Sequence, residues 1–203
     1  MKHVFVETNF LIAVARPLPH PRAEKLLADS RRGVVALHIP WCAVTEARRT
    51  MQRIINDDLG FDTEMLGFAR KELFPADKAK FAIVQELAAT VKAARRLALA
   101  DLNSKIDAVV ADMRIIPPSA EAVNQTLSIW TIKSLPPFDE MVLGTVLAKA
   151  IELCQAGERE LFFCNLNKSD FSPEDKGGLA ITRPELTAAY AACGLTYKPS
   201  FDV

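Results

Sequence analysis

Short apolar runs alternate along the chain with longer stretches whose apolar residues recur at helical spacing. The runs predict buried strands at 4–6, 34–39, 113–116 and 160–164, with 195–197 as an edge strand. Helices are predicted at 10–15, 22–31, 40–56, 62–73, 119–132, 141–153 and 184–193. Because strands and helices alternate, the pattern predicts a three-layer α/β/α fold with a central, mostly parallel sheet of four to five strands.

One stretch exceeds what a minimal domain of this kind needs. Residues 76–113 contain neither proline nor glycine, and their apolar residues recur close to every 3.5 positions. This pattern predicts either one long helix backed by the 62–73 helix or a pair of helices broken near Asn103. We therefore predict a single domain over 1–203, with a helical insertion at about 58–113.

Composition narrows the class of protein. Of the 203 residues, 50% are hydrophobic, and 25 basic residues balance 25 acidic ones. A chain without net charge is not one of the strongly basic proteins that coat nucleic acids. RNA binding would therefore need a local patch of basic residues or a bridging cation. Zero net charge also favours self-association, and a homo-oligomer is expected. The four cysteines form no C-x-x-C pair, and there is neither a signal segment nor a long apolar span. These features predict a cytoplasmic protein with no membrane contact.

Carboxylate and amide side chains recur where predicted strands give way to helices. Glu7 follows the first strand and precedes Thr8-Asn9. Asp139 begins a later helix, where an N-cap role is the plain alternative. Glu46, on the helix after the second strand, could instead be a solvated residue. The fourth strand is followed by the segment that contains Asn167 and Asp170, and spacing does not decide between them.

Parallel strands bring such junctions to one edge of the sheet. Several carboxylates crowded there repel each other unless a cation neutralises them. Oxygen ligands without cysteine or histidine select Mg²⁺ or Mn²⁺. The sequence therefore predicts a metal site at this edge.

Three segments carry a resemblance to a known family. The strings MKHVFVETNFLI, IPWCAVTEARR and PFDEMVLGTVL resemble the acidic segments of the PIN-domain family of metal-dependent nucleases. The resemblance covers roughly residues 1–57 and 114–171. The chain departs from the family in having Glu7 where the first acidic residue is usually Asp. It has Asn167, or Asp170 three residues later, where the fourth is expected.

The resemblance implies a Mg²⁺- or Mn²⁺-dependent endoribonuclease that cleaves single-stranded RNA and leaves a 5′-phosphate. Glu7 and Asp139 would be the main metal ligands, and Glu46 would hold a second ion or orient the attacking water. Asn167 or Asp170 would complete the ligand set. Thr8 and Asn9 would position a water or a phosphate, and the cationic Arg48 and Arg49 could contact phosphates.

The substitution at the first position bears on activity. Glutamate carries its carboxylate ~1.5 Å further from the backbone than aspartate does. A displacement of ~1 Å can cost about 100-fold in rate, so an active enzyme would need a compensating change elsewhere in the site.

Other functions compete with the nuclease. The first is a PIN-like module with weakened catalysis that binds RNA or a protein. The second is the toxin of a toxin–antitoxin pair, with a protein antitoxin or regulator as its partner. A nucleotide-binding protein or a phosphatase is disfavoured, because the chain lacks G-x-x-x-x-G-K-[ST], G-x-G-x-x-G and a D-x-D after the first strand.

Overall fold

The structure, a computed structural model, describes residues 1–16, 18–129, 135–173 and 183–203. Of residues 54–62 and 168–169 it describes the backbone alone. The chain forms two compact units, one of Met1–Ala47 with Ile106–Val203 and the other of Arg48–Lys105. The predicted insertion at about 58–113 overlaps the second unit.

The first unit contains a sheet of five parallel strands in the order β3-β2-β1-β4-β5. The strands are β1 (Lys2–Phe5), β2 (Val35–Pro40), β3 (Arg114–Ile116), β4 (Leu161–Cys164) and β5 (Leu195–Lys198). The expected α/β/α class is confirmed. The strand order runs outward from β1 in both directions, so the switch point lies between β1 and β4. Ligands of open α/β sheets bind outside the carboxyl ends of the strands at such a point.

Helices wholly within the first unit connect these strands. They are α1 (Thr8–Ala15), α2 (Pro21–Arg31), α5 (Ala120–Ile129), α6 (Pro137–Gln155), α7 (Lys168–Phe171) and α8 (Pro184–Ala192). Gly33 follows α2 with φ of 74°, a left-handed conformation that ends the helix, as predicted. The last part of the helix predicted at 119–132 falls on 130–134, outside the described residues.

The core on one face of the sheet centres on α6. Phe5, Leu161 and Phe163 point to this face and pack with buried residues of α6 such as Leu143 and Val146. Because side chains alternate along a strand, Val4 and Leu37 belong to the other face. There α2 packs on β2, and α1 packs on α2. The position of Glu7 is set by this core, since β1 is buried on both faces.

The helix after β2 is longer than the sequence pattern predicts. One helix, α3, runs over Trp41–Phe68 and passes into a π-helical turn at Ala69–Leu73, where the pattern predicts separate helices at 40–56 and 62–73. The stop signal within it is Gly60, and a glycine costs a helix only about 1 kcal/mol. Pro40 is the last residue of β2 and not the first of the helix.

The chain continues through α4, one unbroken helix over Lys78–Ala111. Of the two alternatives for 76–113, the long helix is therefore observed, and there is no break near Asn103. The absence of proline and glycine decides this outcome, because no residue in the stretch strongly opposes helix. No helix in the described part of the chain is long and apolar enough to cross a membrane.

Candidate functional site

Glu7 lies directly beyond β1, where the chain turns into α1. It occupies the N-cap position with an extended backbone, and within the described residues its carboxylate makes no cap hydrogen bond of regular geometry. Only 6% of the residue is exposed, and the buried Oε1 has no hydrogen-bond partner among the residues that the structure describes. A buried carboxylate oxygen without a partner raises the free energy of the folded protein. Binding a proton or a cation at this position removes that cost.

The electrostatics agree with this geometry. Burial raises the pKa of Glu7 from 4.5 to about 8; the nearby polar groups of Asn9 lower it, and the negative charges of Glu46 and Asp139 raise it further. Burial raises the pKa of Asp139 to about 6, with added repulsion from Asp170 and Glu46. The charges of Glu46 and Asp139 therefore act on Glu7, and the charges of Asp170 and Glu46 act on Asp139.

Thr8 fixes the orientation of Glu46. The buried Thr8 hydroxyl lies 3.2 Å from the carbonyl oxygen of Ala43 and donates a hydrogen bond to the Glu46 carboxylate. This contact joins the start of α1 to the first turns of α3. Glu46 is thus held at the sheet edge and is not an isolated solvated glutamate. A role for Thr8 in contacting substrate stays a prediction.

Asp139 lies in the first turn of α6 but does not cap it. Pro136 is the N-cap residue, and Pro137 occupies the first helical position, which suits its fixed φ. The N-cap alternative for Asp139 is therefore wrong. The half-buried Asp139 carboxyl group does not cap the helix. It lies at the sheet edge, where burial and the charges of Asp170 and Glu46 raise its pKa.

Asn167 and Asp170 occupy the loop and short helix that follow β4. The Asn167 amide donates a hydrogen bond to the Asp170 carboxylate, so the two candidates for the fourth position contact each other. Both residues therefore lie at the fourth position as a hydrogen-bonded pair, in which the Asn167 amide orients the Asp170 carboxylate. The Asp170 backbone is held in turn by Arg183, whose guanidinium donates to its carbonyl oxygen at 3.0 Å.

Two residues that support this loop were not predicted from the sequence. Asn165 is fully buried, and its side-chain oxygen accepts a hydrogen bond from the Asn167 backbone N–H at 2.6 Å. The Tyr197 hydroxyl donates to the Asn165 carbonyl oxygen at 3.3 Å. Burial, with the charges of Cys164, Glu7 and Asp170, raises the pKa of Tyr197 to about 12. An asparagine directly after a buried strand was the available signal for Asn165.

Arg48 and Arg49 belong to the second unit, and both are exposed. Their contact with substrate phosphates stays a prediction.

The donor atoms of the site have the chemistry that a hard divalent cation prefers, since they are carboxylate and amide oxygens. The strongest single sign of a bound cation is the buried Oε1 of Glu7, for which the described residues provide no partner. Within the described residues, however, no three acidic, histidine or cysteine side chains converge closely enough to make a complete metal site. The chemistry therefore fits Mg²⁺ or Mn²⁺, whereas the side chains do not form a closed ligand set.

Comparison with known proteins adds no family. No protein-family model matches the chain, and no curated protein matches it in sequence.

Proposed function

We propose that the chain is a PIN-type endoribonuclease that hydrolyses phosphodiester bonds of single-stranded RNA with Mg²⁺ or Mn²⁺. The observation that carries the proposal is the buried Glu7 carboxylate beside Glu46 and Asp139 at the switch point of the sheet, with Asp170 acting on Asp139. One oxygen of this carboxylate has no partner in the described part of the chain. Carboxyl groups that repel each other lower the stability of the folded protein. Carboxyl groups with such raised pKa values are found most often at functional sites. The resemblance of the three acidic segments to PIN nucleases supports the same reaction.

Glu7 and Asp139 are the residues proposed to hold the cation, with the Asn167–Asp170 pair completing the ligand set. When bound, the cation would lower the pKa of a water and neutralise charge on the phosphate. Glu46 is proposed as the base that orients this water and accepts its proton at a carboxylate oxygen, while the hydroxyl of Thr8 holds Glu46 in place. In this proposal water would attack phosphorus as it loses a proton to Glu46, the bond from phosphorus to the 3′ oxygen would break, and that oxygen would take a proton from solvent. The products would be a 5′-phosphate and a 3′-hydroxyl.

The test is cleavage of a single-stranded RNA with Mn²⁺, with Mg²⁺ and with EDTA, together with Mn²⁺ titration by calorimetry. We expect Asp139→Ala to abolish cleavage and Asp139→Asn to remove Mn²⁺ binding, both with an unchanged circular dichroism spectrum. Asp101→Asn is the matched control, because Asp101 is an exposed partner of Lys105 on α4. Unaltered turnover in Asp139→Ala would rule out the assignment.

A second candidate is a PIN-like module that binds RNA or a protein without cleaving RNA. The specific observation in its favour is that no complete ligand set exists within the described residues. The chemistry of Glu7 in place of aspartate agrees with a weakened site. Retained RNA binding without cleavage at millimolar Mn²⁺ would establish this module in place of the nuclease.

A further inference from the structure

A groove of about 420 Å³ lies along α1, next to the acidic group. At one end it is lined by Asn9, two residues beyond Glu7, and by Asn167, which contacts Asp170. At its other end it is lined by Arg16 and Leu18, which follow α1. The groove is therefore continuous with the candidate site, and all of it belongs to the first unit.

The charge of the groove is opposite to that of the acidic group. Among the described residues that line it, Arg16 is the one that carries a charge, and it makes no ion pair within that part of the chain. An RNA strand brings negative phosphates to a cluster of carboxylates, and a cation next to the cluster reduces that repulsion. An exposed guanidinium presents a fork of N–H donors that matches the oxygens of a phosphate.

The walls of the groove are apolar in a way that suits an unpaired base. Leu18 is 89% exposed and Leu166 is 38% exposed, so the groove offers apolar surface to solvent beside a cation. Ile12 also lines it. His20 also lines it, and its ring lies edge-to-face with the ring of Phe201, with 5.7 Å between the ring centres. Its buried Nδ1 has no hydrogen-bond partner among the residues described. A base has apolar faces and polar edges. Proteins recognise single-stranded RNA by binding bases that are unstacked from their neighbours.

We propose that this groove binds the nucleotide next to the scissile phosphate of single-stranded RNA. Arg16 contacts the phosphate of that nucleotide, and Leu18 and Leu166 contact its base. The inference rests on the proposed function, and it adds that the substrate must extend at least one unpaired nucleotide beyond the bond that is cut. A small phosphodiester without such a nucleotide would bind at the acidic group and would make no contact with the groove.

The experiment compares two substrates in the same protein. One is a 20-nucleotide single-stranded RNA, and the other is bis(p-nitrophenyl) phosphate, which lacks a flanking nucleotide. In Arg16→Ala we expect the ratio of kcat/KM for RNA to that for the small diester to fall about 10-fold, mainly through a higher KM for RNA. Arg16→Lys should recover part of the loss. Leu18→Ser should lower the same ratio.

The matched control is Arg22→Ala. Arg22 is an exposed arginine on α2 that pairs with Asp202 at 2.7 Å and does not line the groove. Its replacement should leave both rates unchanged. An unchanged ratio in Arg16→Ala and Leu18→Ser, or an equal fall for both substrates, overturns the inference.

A binding measurement separates failure of the groove from failure of the nuclease. If the wild type hydrolyses neither substrate, the proposed function fails, and RNA binding is then measured by fluorescence anisotropy in EDTA. A Kd about 10-fold weaker in Arg16→Glu, with a salt dependence reduced by about 0.7 in the log–log slope in Arg16→Ala, supports the groove as an RNA site. Equal Kd values and equal slopes for wild type and variants overturn it.

Discussion

Replacing Glu7 by glutamine tests how strongly this carboxyl group opposes folding when no cation is present. Glutamine has nearly the same shape but cannot ionise. Burial raises the pKa of Glu7 from 4.5 to about 8 in the folded protein, so the folded state retains a proton that the unfolded chain has lost. Between these two values the folded state binds more protons, and the free energy of unfolding must fall as the pH rises.

The size of the effect follows from the two pKa values. Each pH unit between them costs about 1.4 kcal/mol, so the wild type loses about 4 kcal/mol from this group between pH 5 and pH 8. Glu7→Gln avoids that loss. We expect the two proteins to have similar stability at pH 5, and the variant to be more stable by about 4 kcal/mol at pH 8. For a chain of this length that corresponds to roughly 8–16 °C in Tm.

The measurement is urea unfolding in EDTA at pH 5, 6, 7 and 8. The control is Glu24→Gln, which changes an exposed glutamate in the first turn of α2 and should follow the wild-type curve. Asp139 contributes a loss of the same sign to both proteins, and the repulsion between its charge and that of Glu7 is already part of the raised pKa of Glu7. Curves for wild type and Glu7→Gln that run parallel from pH 5 to pH 8 would refute the reasoning, because Glu7 would then titrate normally in the folded state.

Three further variants test the packing and the buried polar groups of the first unit. Gly144→Ala should destabilise by about 1–3 kcal/mol in urea unfolding, because its Cβ would lie 2.7 Å from the backbone nitrogen and 2.9 Å from the Cα of Thr126; a gain from helix propensity would contradict this. Tyr190→Phe should cost about 1–3 kcal/mol, since the buried hydroxyl donates to the Phe171 carbonyl oxygen at 2.8 Å; equal stability would show that water replaces it. Burial lowers the pKa of His38 from 6.5 to about 3, so its contribution to stability is lost as the pH falls below 6.5, and His38→Gln should flatten thermal stability between pH 6 and pH 4 relative to the wild type.

The class of fold was open to prediction because it depends on local pattern. The runs that contain Val4, Leu37 and Phe163 are apolar on both faces, which is typical of strands covered by helices on both sides. The pattern placed Glu7 at the end of β1 and Asp139 in the first turn of α6, and both placements agree with the structure. The pattern did not predict that the helices at 40–56 and 62–73 are continuous. In the structure α3 extends through Gly60.

Contacts between distant segments could not be predicted from local pattern. Thr8 and Glu46 are separated by 38 residues, and their hydrogen bond exists because parallel pairing of β1 and β2 brings the starts of α1 and α3 together. The pairing of Asn167 with Asp170 depends on the turn after β4, which spacing left undecided.

The sequence by itself determined which residues form strands and helices, and where along the chain the carboxylates fall. Both properties follow from periodicity and from the residues that begin and end helices, which act over a few positions. Only the tertiary structure decided how deeply Glu7 is buried, that Asn165 supports the loop after β4, and that a groove runs from Asn9 to Arg16. Burial and electrostatic repulsion depend on distances between segments remote in sequence, and those distances are set by the packing of the whole core.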